Sequence, residues 1–186
     1  MPESFILQSY LPDISVCDDL INAHENNLDK QIGLITEDGQ NLINKTIKDS
    51  EESRVLGDMA NIYISQLQTV LLEYIEKYPQ CNLYSPFRLV SPPQVQKYEP
   101  GGGYFSWHTE RCHAKTHEIA SRHLVFMTYL NNVTDAGETE FALQNLKVQP
   151  RKGLTLIWPA DWTHTHRGIA SPTQKKYIVT GWYNFT

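Results

Sequence analysis

Apolar positions recur along this chain with two different periods, and the periods predict its secondary structure. Between Glu52 and Tyr78 they fall on one helical stripe, made of Tyr63, Leu67, Val70, Leu71, Tyr74 and Tyr78. A shorter helix is predicted after Pro12, ending near Asn26-Asn27. Runs typical of β-strands lie at residues 5–11, 95–98, 123–131, 154–158 and 177–183. The pattern therefore predicts an α+β protein that is mostly β.

The stretch Val95–Glu110 contains the first candidate chemistry. A short strand, Val95–Tyr98, runs into a proline and three glycines, which predict a turn. A second strand is predicted over Tyr104–Glu110. Because strand residues two apart point to the same face, His108 and Glu110 are expected to present an imidazole and a carboxylate to one point.

A third metal ligand must come from a distant part of the chain, and His164 and His166 are the candidates. Alternation places both on one face. We favour His166, because a hairpin centred on residue 171 places it opposite Lys176, whose ammonium then projects toward the pocket. Two imidazoles and one carboxylate are the ligand set of non-haem Fe(II) oxygenases, and a zinc hydrolase can use the same set.

Five motifs then follow one another at characteristic spacings. They are Tyr98 ten residues before His108, Tyr129-Leu130-Asn131 after a strand, the run Ala136-Gly137-Glu138-Thr139-Glu140-Phe141, Lys176 ten residues after His166, and the strand Tyr177–Tyr183. On these motifs, residues 95–183 resemble the catalytic core of the 2-oxoglutarate and Fe(II)-dependent dioxygenases, specifically the prolyl 4-hydroxylase-like group. One departure is Glu110, since that group mostly carries His-x-Asp. Some relatives in the wider superfamily carry His-x-Glu, so the change is compatible with iron binding.

The resemblance implies a fold, a cofactor site and a cosubstrate site. The fold is a double-stranded β-helix, a jelly-roll core of the cupin kind, with N-terminal supporting helices. The implied Fe(II) ligands and catalytic residues are His108, Glu110 and His166. Lys176 is expected to bind the far carboxylate of 2-oxoglutarate, helped by Tyr98, Tyr129 and Thr180. O₂ is the second cosubstrate, and ascorbate is an optional reductant.

The implied reaction is hydroxylation of a prolyl residue in a peptide or protein, with succinate and CO₂ as coproducts. Arg122 and Trp182 are expected to line the substrate pocket. An extended peptide is expected to cross the mouth between residues 28–53 and 111–121, the first of which is either a lid or a solvated connector. Two alternatives stay open: a hydroxylase of a free amino acid or another small molecule, and a non-catalytic binding module of the same fold.

Composition limits the remaining possibilities. A chain of 186 residues, 40% apolar, fits one domain over 1–186, with helical support in 1–90 and the catalytic core in 91–186. A net charge of −5 favours no nucleic-acid partner. No apolar run is long enough to span a membrane, and the start of the chain has no basic segment typical of a signal peptide. The sequence does not indicate an oligomeric state.

Three scattered cysteines, Cys17, Cys81 and Cys112, predict no disulfide framework and favour a cytoplasmic location. Cys112 lies two residues beyond Glu110 and is interpreted as a loop residue at the mouth rather than a ligand. His113 and His117 have the spacing of a second metal site, but no Cys or Asp completes the set. We interpret residues 111–118 as a solvated loop.

Overall fold

The structure, a computed structural model, describes residues 3–37, 40–112 and 116–186. Within these ranges the helices are α1 (Val16–Asn26), α2 (Gly57–Lys77) and α3 (His117–Ala120), with short 3-10 helices at Pro79–Asn82 and Trp162–His164. The strands are β1 (Leu7–Tyr10), β2 (Gln31–Ile32), β3 (Ile35–Glu37), β4 (Gln40–Leu42), β5 (Glu51–Arg54), β6 (Phe87–Leu89), β7 (Gln94–Tyr98), β8 (Arg122–Tyr129), β9 (Thr139–Phe141), β10 (Leu146–Val148), β11 (Leu154–Pro159), β12 (His166–Gly168) and β13 (Lys176–Phe185).

The largest sheet is antiparallel and packs against the two longest helices. The strands of this major sheet follow the order β1-β11-β8-β13-β7-β5-β2, and β6 also pairs with β13. Helices α1 and α2 pack on one face of this sheet, and the buried side chains of α2 are Tyr63, Leu67, Val70, Leu71 and Tyr74. The predicted helical stripe therefore forms the core between helix and sheet.

A minor sheet in the order β10-β9-β12 covers part of the opposite face. The major sheet therefore has a hydrophobic core on each face, one shared with the helices and one shared with the minor sheet. Successive side chains of β8 point alternately into these two cores. Leu124 and Phe126 pack with the helices, whereas Val125, Met127 and Tyr129 pack with the minor sheet. This alternation is the one expected for a strand that is buried on both faces. The architecture agrees with the predicted α+β class and its β-rich content.

The predicted strand over Tyr104–Glu110 is wrong. Among the described residues between β7 and α3, only two isolated bridges form, Lys48 with Tyr104 and His108 with His166. No continuous ladder develops, because successive backbone N–H groups bond to different parts of the chain. The acceptors, in chain order, are Ile47 for Phe105, His166 for His108 and Ala160 for Arg111.

The predicted hairpin that pairs His166 with Lys176 is also wrong. Strand β12 pairs with β9, whereas β13 pairs with β7 and β8, so the two residues belong to different sheets. Lys176 lies opposite Tyr98 instead. The chain crosses between the sheets over residues 169–175, and the Lys176 ammonium lies 3.3 Å from the carbonyl oxygen of Ile169. The lysine therefore reaches the same interior space from the facing sheet.

In the N-terminal half, the long helix begins later than the sequence pattern predicts. Helix α2 begins at Gly57 rather than at residue 52, because Glu51–Arg54 form β5 and pair with β7. Strands β1, β2, β5 and β6 all belong to the major sheet, so residues 1–90 supply strands as well as helices. The division into a support (1–90) and a catalytic core (91–186) of one domain stays a proposal. None of the helices in the described ranges is long and apolar enough to cross a membrane.

Candidate metal centre

His108 and His166 lie directly opposite each other in an antiparallel bridge. The N–H of each residue donates to the carbonyl oxygen of the other, both at 3.0 Å. Opposed residues of an antiparallel pair place their side chains side by side, and the two ring centroids are 4.3 Å apart. The bridge therefore brings two imidazoles together although the chain around His108 forms no strand.

Each imidazole is oriented by a backbone carbonyl two residues earlier. His108 Nδ1 lies 3.0 Å from the oxygen of Ser106, and His166 Nδ1 lies 2.9 Å from the oxygen of His164. Since a carbonyl only accepts hydrogen bonds, Nδ1 carries the proton and Nε2 keeps its lone pair. Burial, reinforced by His166, lowers the pKa of His108 and favours the neutral ring that binds metals.

The carboxylate of Glu110 completes the group. Its Oε1 lies 3.7 Å from His108 Nε2 and 3.4 Å from His166 Nε2, and the candidate ligand atoms all lie within 4.8 Å of one another. Burial alone would raise the pKa of Glu110, but the positive charge that the two imidazoles carry when protonated outweighs burial and holds this pKa well below its usual range.

These distances fit a divalent metal ion. Bonds of about 2.1 Å to two adjacent octahedral ligands separate those ligands by roughly 3 Å, so the distances of 3.7 Å and 3.4 Å from Glu110 Oε1 to the two imidazole nitrogens need only a small contraction. The three donors comprise two imidazoles and one carboxylate, a set that leaves other coordination positions open. Residues His108, Glu110 and His166 thus match the predicted ligand set.

Lys176 provides a buried cation in the same cavity. Its side chain is 4% exposed, and its ammonium donates to the carbonyl oxygens of Gly137 at 3.0 Å and Ile169 at 3.3 Å. Burial lowers the pKa of Lys176 to about 8, with only partial compensation from Glu138. An ammonium has three N–H donors, so one is left for a carboxylate. This arrangement fits the far end of a dicarboxylic keto acid.

Of the three other residues expected at the cosubstrate site, two line the cavity and one does not. Tyr98 and Thr180 both line the cavity. The Lys176 ammonium lies 5.0 Å from the centroid of the Tyr98 ring, whereas Thr180 lies four residues further along β13 and donates its hydroxyl to the carbonyl oxygen of Phe126 at 2.9 Å. The hydroxyl of Tyr98 donates to Gln96 at 2.7 Å. Tyr129 does not line the cavity, because its hydroxyl is directed to Thr139 at 2.7 Å and to the backbone of β10.

Arg122 and Trp182 both line the cavity, as expected for substrate-pocket residues. Both also contact Glu110, which sequence reasoning did not anticipate. The indole N–H of Trp182 donates to Glu110 Oε2 at 2.9 Å, and Arg122 donates to the backbone oxygen of Glu110 at 2.9 Å. The two side chains therefore touch the candidate metal ligand itself.

His164 and the nearby loop residues lie outside the group of ligands. His164 sits in a 3-10 helix and not in a strand, and its Nε2 lies 2.9 Å from the oxygen of Ser4. Cys112 is exposed at the cavity mouth. Of the pair His113 and His117, His113 lies outside the described residues, and His117 begins α3.

Two further features of the cavity were missed from the sequence. The ring of Tyr104 stacks on the ring of His108, with centroids 3.7 Å apart and planes 7° apart. A nearly buried ion pair, Lys48 with Glu52 at 2.5 Å, lies beside them. The sequence pattern indicates only a strand at Tyr104 and only strand and loop at residues 48–52, so no local signal connects them to the site.

The fold and the centre together define a class of protein: an α+β protein, mostly β, whose major and minor sheets enclose two histidines and one carboxylate that could hold a single metal ion. The model of the 2OG-Fe(II) oxygenase superfamily matches residues 93–184. These residues therefore form a domain of this superfamily, and the protein is a dioxygenase whose family uses Fe(II), 2-oxoglutarate and O₂. This membership resolves the choice between iron and zinc. No curated protein sequence matches the chain.

Solved structures of similar fold include several prolyl hydroxylases. The collagen prolyl hydroxylase of Paramecium Bursaria Chlorella virus-1, in complex with 2OG, has a TM-score of 0.70 at 20% identity and covers 98% of this chain and 97% of its own. A Pseudomonas putida prolyl-4-hydroxylase scores 0.72 at 15% identity, with coverage of 96% and 92%. A Trichoplax adhaerens prolyl hydroxylase, bound to a peptide fragment of the hypoxia inducible factor oxygen degradation domain, scores 0.76 at 16% identity, with coverage of 97% and 84%. These likenesses confirm the predicted double-stranded β-helix fold.

Proposed function

We propose that this dioxygenase hydroxylates a prolyl residue within a peptide or protein, using 2-oxoglutarate and O₂ and releasing succinate and CO₂. The observation that carries the proposal is the size and shape of the cavity above the metal ligands. Its volume is about 890 Å³, near the upper end of the range of ligand pockets. A free amino acid would fill only a small part of it.

The cavity extends from the ligands across the major sheet toward its edge. Gln94 and Gln96 of β7 form part of the floor, and their neighbours across the strand pair are Arg54 and Glu52 of β5. Side-chain amides on a strand suit the N–H and C=O groups of an extended peptide backbone.

The wall above this floor is apolar and partly exposed. Ile32, Leu34 and Leu56 line the cavity and are 46%, 40% and 63% exposed. A long cleft with a polar floor and an apolar wall fits a peptide better than it fits a compact polar metabolite. The peptide ligand of the Trichoplax neighbour supports the same substrate class. The segment 28–53 thus supplies part of the wall.

The roles of the chain's own residues follow from their contacts. A ferrous ion, when bound, supplies the oxygen chemistry that decarboxylates the keto acid and hydroxylates the substrate. His108, Glu110 and His166 would hold this ion. The Lys176 ammonium would bind the far carboxylate of 2-oxoglutarate through a charge-assisted hydrogen bond and so orient the keto acid toward the ion. Tyr98 would pack beside that carboxylate, and Thr180 would line the cavity further along β13.

The first experiment tests the cosubstrate site. Anaerobic addition of Fe(II) and 2-oxoglutarate is expected to produce a weak visible charge-transfer band, and admission of O₂ is expected to yield succinate. The matched control is Glu110→Ala, which should give neither signal. Absence of the band and of succinate from the unmodified protein would leave only the non-catalytic binding module.

The second experiment tests the substrate class. A library of proline-containing peptides is incubated with Fe(II), 2-oxoglutarate and O₂, and mass spectrometry scores the gain of one oxygen on proline. Free proline and the other free amino acids are assayed in parallel. Hydroxylation confined to peptides supports the proposal, whereas turnover of a free amino acid with no peptide hydroxylated would overturn it.

A further inference from the structure

We propose that Arg122 and Trp182 are positioning residues that hold the long carboxylate of Glu110 in a one-oxygen binding mode. We call these two residues the Glu110 clamp. The proposal depends on the metal centre but not on the identity of the substrate. A failure to hydroxylate peptides would therefore leave it standing.

The clamp is a set of mutual contacts around one oxygen atom. The indole N–H of Trp182 donates to Glu110 Oε2 at 2.9 Å, and Arg122 Nη1 lies 3.4 Å from the same oxygen. Arg122 Nη1 also donates to the backbone oxygen of Glu110 at 2.9 Å. The guanidinium carbon lies 3.5 Å from the centroid of the Trp182 ring, so the two clamp residues also stack on each other.

Both donors act on Oε2, whereas the two histidines approach Oε1. His108 Nε2 and His166 Nε2 lie 3.7 Å and 3.4 Å from Oε1. The two carboxylate oxygens of Glu110 therefore have different partners: Oε2 faces the clamp, and Oε1 faces the two histidines. An outer hydrogen bond of this kind fixes the orientation of a metal ligand and adds to metal affinity.

A β-bulge aims Arg122 at the site. Along β8, Leu124 and Phe126 pack toward the helices, so regular alternation would direct Arg122 to that face too. The register with β13 shifts between Tyr183 and Asn184, and Asn184 pairs with Arg122. Such an irregularity redirects a side chain, and Arg122 lines the cavity instead.

The clamp prevents a binding mode that a glutamate ligand makes possible, in which both carboxylate oxygens bind the metal. Glu110 has one more rotatable bond than the aspartate that is usual in this family, and a free glutamate can bind a metal through both oxygens. Three protein ligands leave three octahedral positions, enough for a chelating keto acid and O₂. A second oxygen from Glu110 would occupy one of these positions. By holding Oε2, the clamp keeps that position open.

A role in substrate binding alone makes a different prediction. In that case Trp182→Phe would weaken substrate binding but leave metal affinity unchanged. Metal affinity measured without substrate or 2-oxoglutarate therefore separates the two roles. Mn(II) titrated anaerobically into the metal-free protein, followed by calorimetry, gives this affinity directly.

Trp182→Phe keeps a smaller aromatic ring but removes the indole N–H donor. We expect Mn(II) affinity to fall about 10-fold to 100-fold, the usual effect of losing an outer hydrogen bond to a metal ligand. The matched control is Trp162→Phe, because the Trp162 side chain is 69% exposed and does not line the cavity that holds the ligands. Unchanged Mn(II) affinity in a folded Trp182→Phe protein would overturn the proposal.

Glu110→Asp provides a second, independent measurement. A shorter carboxylate cannot reach both the clamp and the metal, so Trp182→Phe should cost much less metal affinity in the Glu110→Asp background than in the unmodified protein. Equal losses in both backgrounds would contradict the clamp. If Trp182→Phe fails to fold, the same comparison can be made with Arg122→Lys, which keeps the positive charge. It should lower Mn(II) affinity in the unmodified background and much less in Glu110→Asp, and again an equal loss in both would overturn the clamp.

Discussion

The imidazole of His166 takes its orientation from His164, whose carbonyl oxygen lies 2.9 Å from His166 Nδ1. His164 thus acts on the metal centre through its backbone, while its own ring is engaged elsewhere. The Nε2 of His164 lies 2.9 Å from the oxygen of Ser4, and Nδ1 lies 3.0 Å from the Thr163 hydroxyl. Of these two neighbouring histidines, only one presents a free nitrogen to the site.

The two histidines should therefore respond oppositely to substitution. His166→Ala is expected to abolish Mn(II) binding in anaerobic calorimetry, because it removes one of three ligands. His164→Ala retains the carbonyl and should keep Mn(II) affinity within several-fold, although the lost contact with Ser4 should lower the melting temperature. Loss of metal binding in His164→Ala with retention in His166→Ala would transfer the ligand role.

Lys176→Met should remove the anchor for the far carboxylate of 2-oxoglutarate. A buried charge-assisted hydrogen bond of this kind contributes about 1.5–3 kcal/mol, so we expect the affinity for 2-oxoglutarate to fall about 10-fold to 100-fold. The charge-transfer band, titrated with 2-oxoglutarate under anaerobic conditions, measures this affinity. Mn(II) affinity is the internal control and should not change, because Lys176 contacts none of the three ligands.

The affinity for 2-oxoglutarate should also depend on pH in a predictable direction. Burial lowers the pKa of Lys176 to about 8, and only the protonated ammonium attracts a carboxylate. The anchor is fully charged well below pH 8 and loses its charge as pH rises through that value. Affinity should consequently fall about tenfold between pH 7 and pH 9, whereas a lysine with an ordinary pKa would show almost no change in this interval.

The control for this pH dependence is Lys176→Arg, because a guanidinium keeps its charge throughout the interval. The variant should bind 2-oxoglutarate more weakly than the unmodified protein but with a nearly flat profile. The pKa values of Glu110 and His108 are both lowered, so neither residue gains or loses a proton between pH 7 and pH 9. An equally steep decline in Lys176→Arg would assign the titration to another group.

Motif spacing predicted three side chains that do converge, but local periodicity gave the wrong strand pairing for them. His108, Glu110 and His166 converge as predicted, yet Tyr104–Glu110 is no strand, and Lys176 lies in a different sheet from His166. Alternation along a strand specifies which side chains share a face. It does not specify which strand becomes the neighbour, because that depends on contacts between distant segments.

The Tyr-Leu-Asn motif shows a second limit of sequence reasoning. The resemblance places Tyr129 near the cosubstrate, but its hydroxyl bonds to Thr139. Asn131 has the more informative contacts: its Oδ1 accepts from the backbone of Tyr177 at 2.9 Å, and its Nδ2 donates to the backbone of Lys175 at 2.9 Å. The motif thus fixes the start of β13, the strand that carries Lys176. A spacing match alone cannot separate this structural role from direct binding.

Tyr63 offers a test of the fold that leaves the metal centre intact. Its hydroxyl lies 2.9 Å from that of Thr128, which in turn lies 2.7 Å from that of Thr155, and all three residues are fully buried. Tyr63→Phe removes one end of this chain of hydrogen bonds while Thr128 keeps its bond to Thr155. We expect the free energy of unfolding to fall by about 1–2 kcal/mol, measured by urea denaturation with an unchanged slope.

The matched control for this substitution is Tyr10→Phe, because the Tyr10 side chain is half-exposed on edge strand β1. Its unfolding free energy should match that of the unmodified protein within about 0.5 kcal/mol. Thr128→Val should cost more than Tyr63→Phe, since it leaves two buried hydroxyls without their shared partner. Mn(II) affinity should stay constant in all three variants. If Tyr63→Phe weakened metal binding without lowering stability, the helix-facing core would be energetically coupled to the metal centre on the opposite face of the sheet.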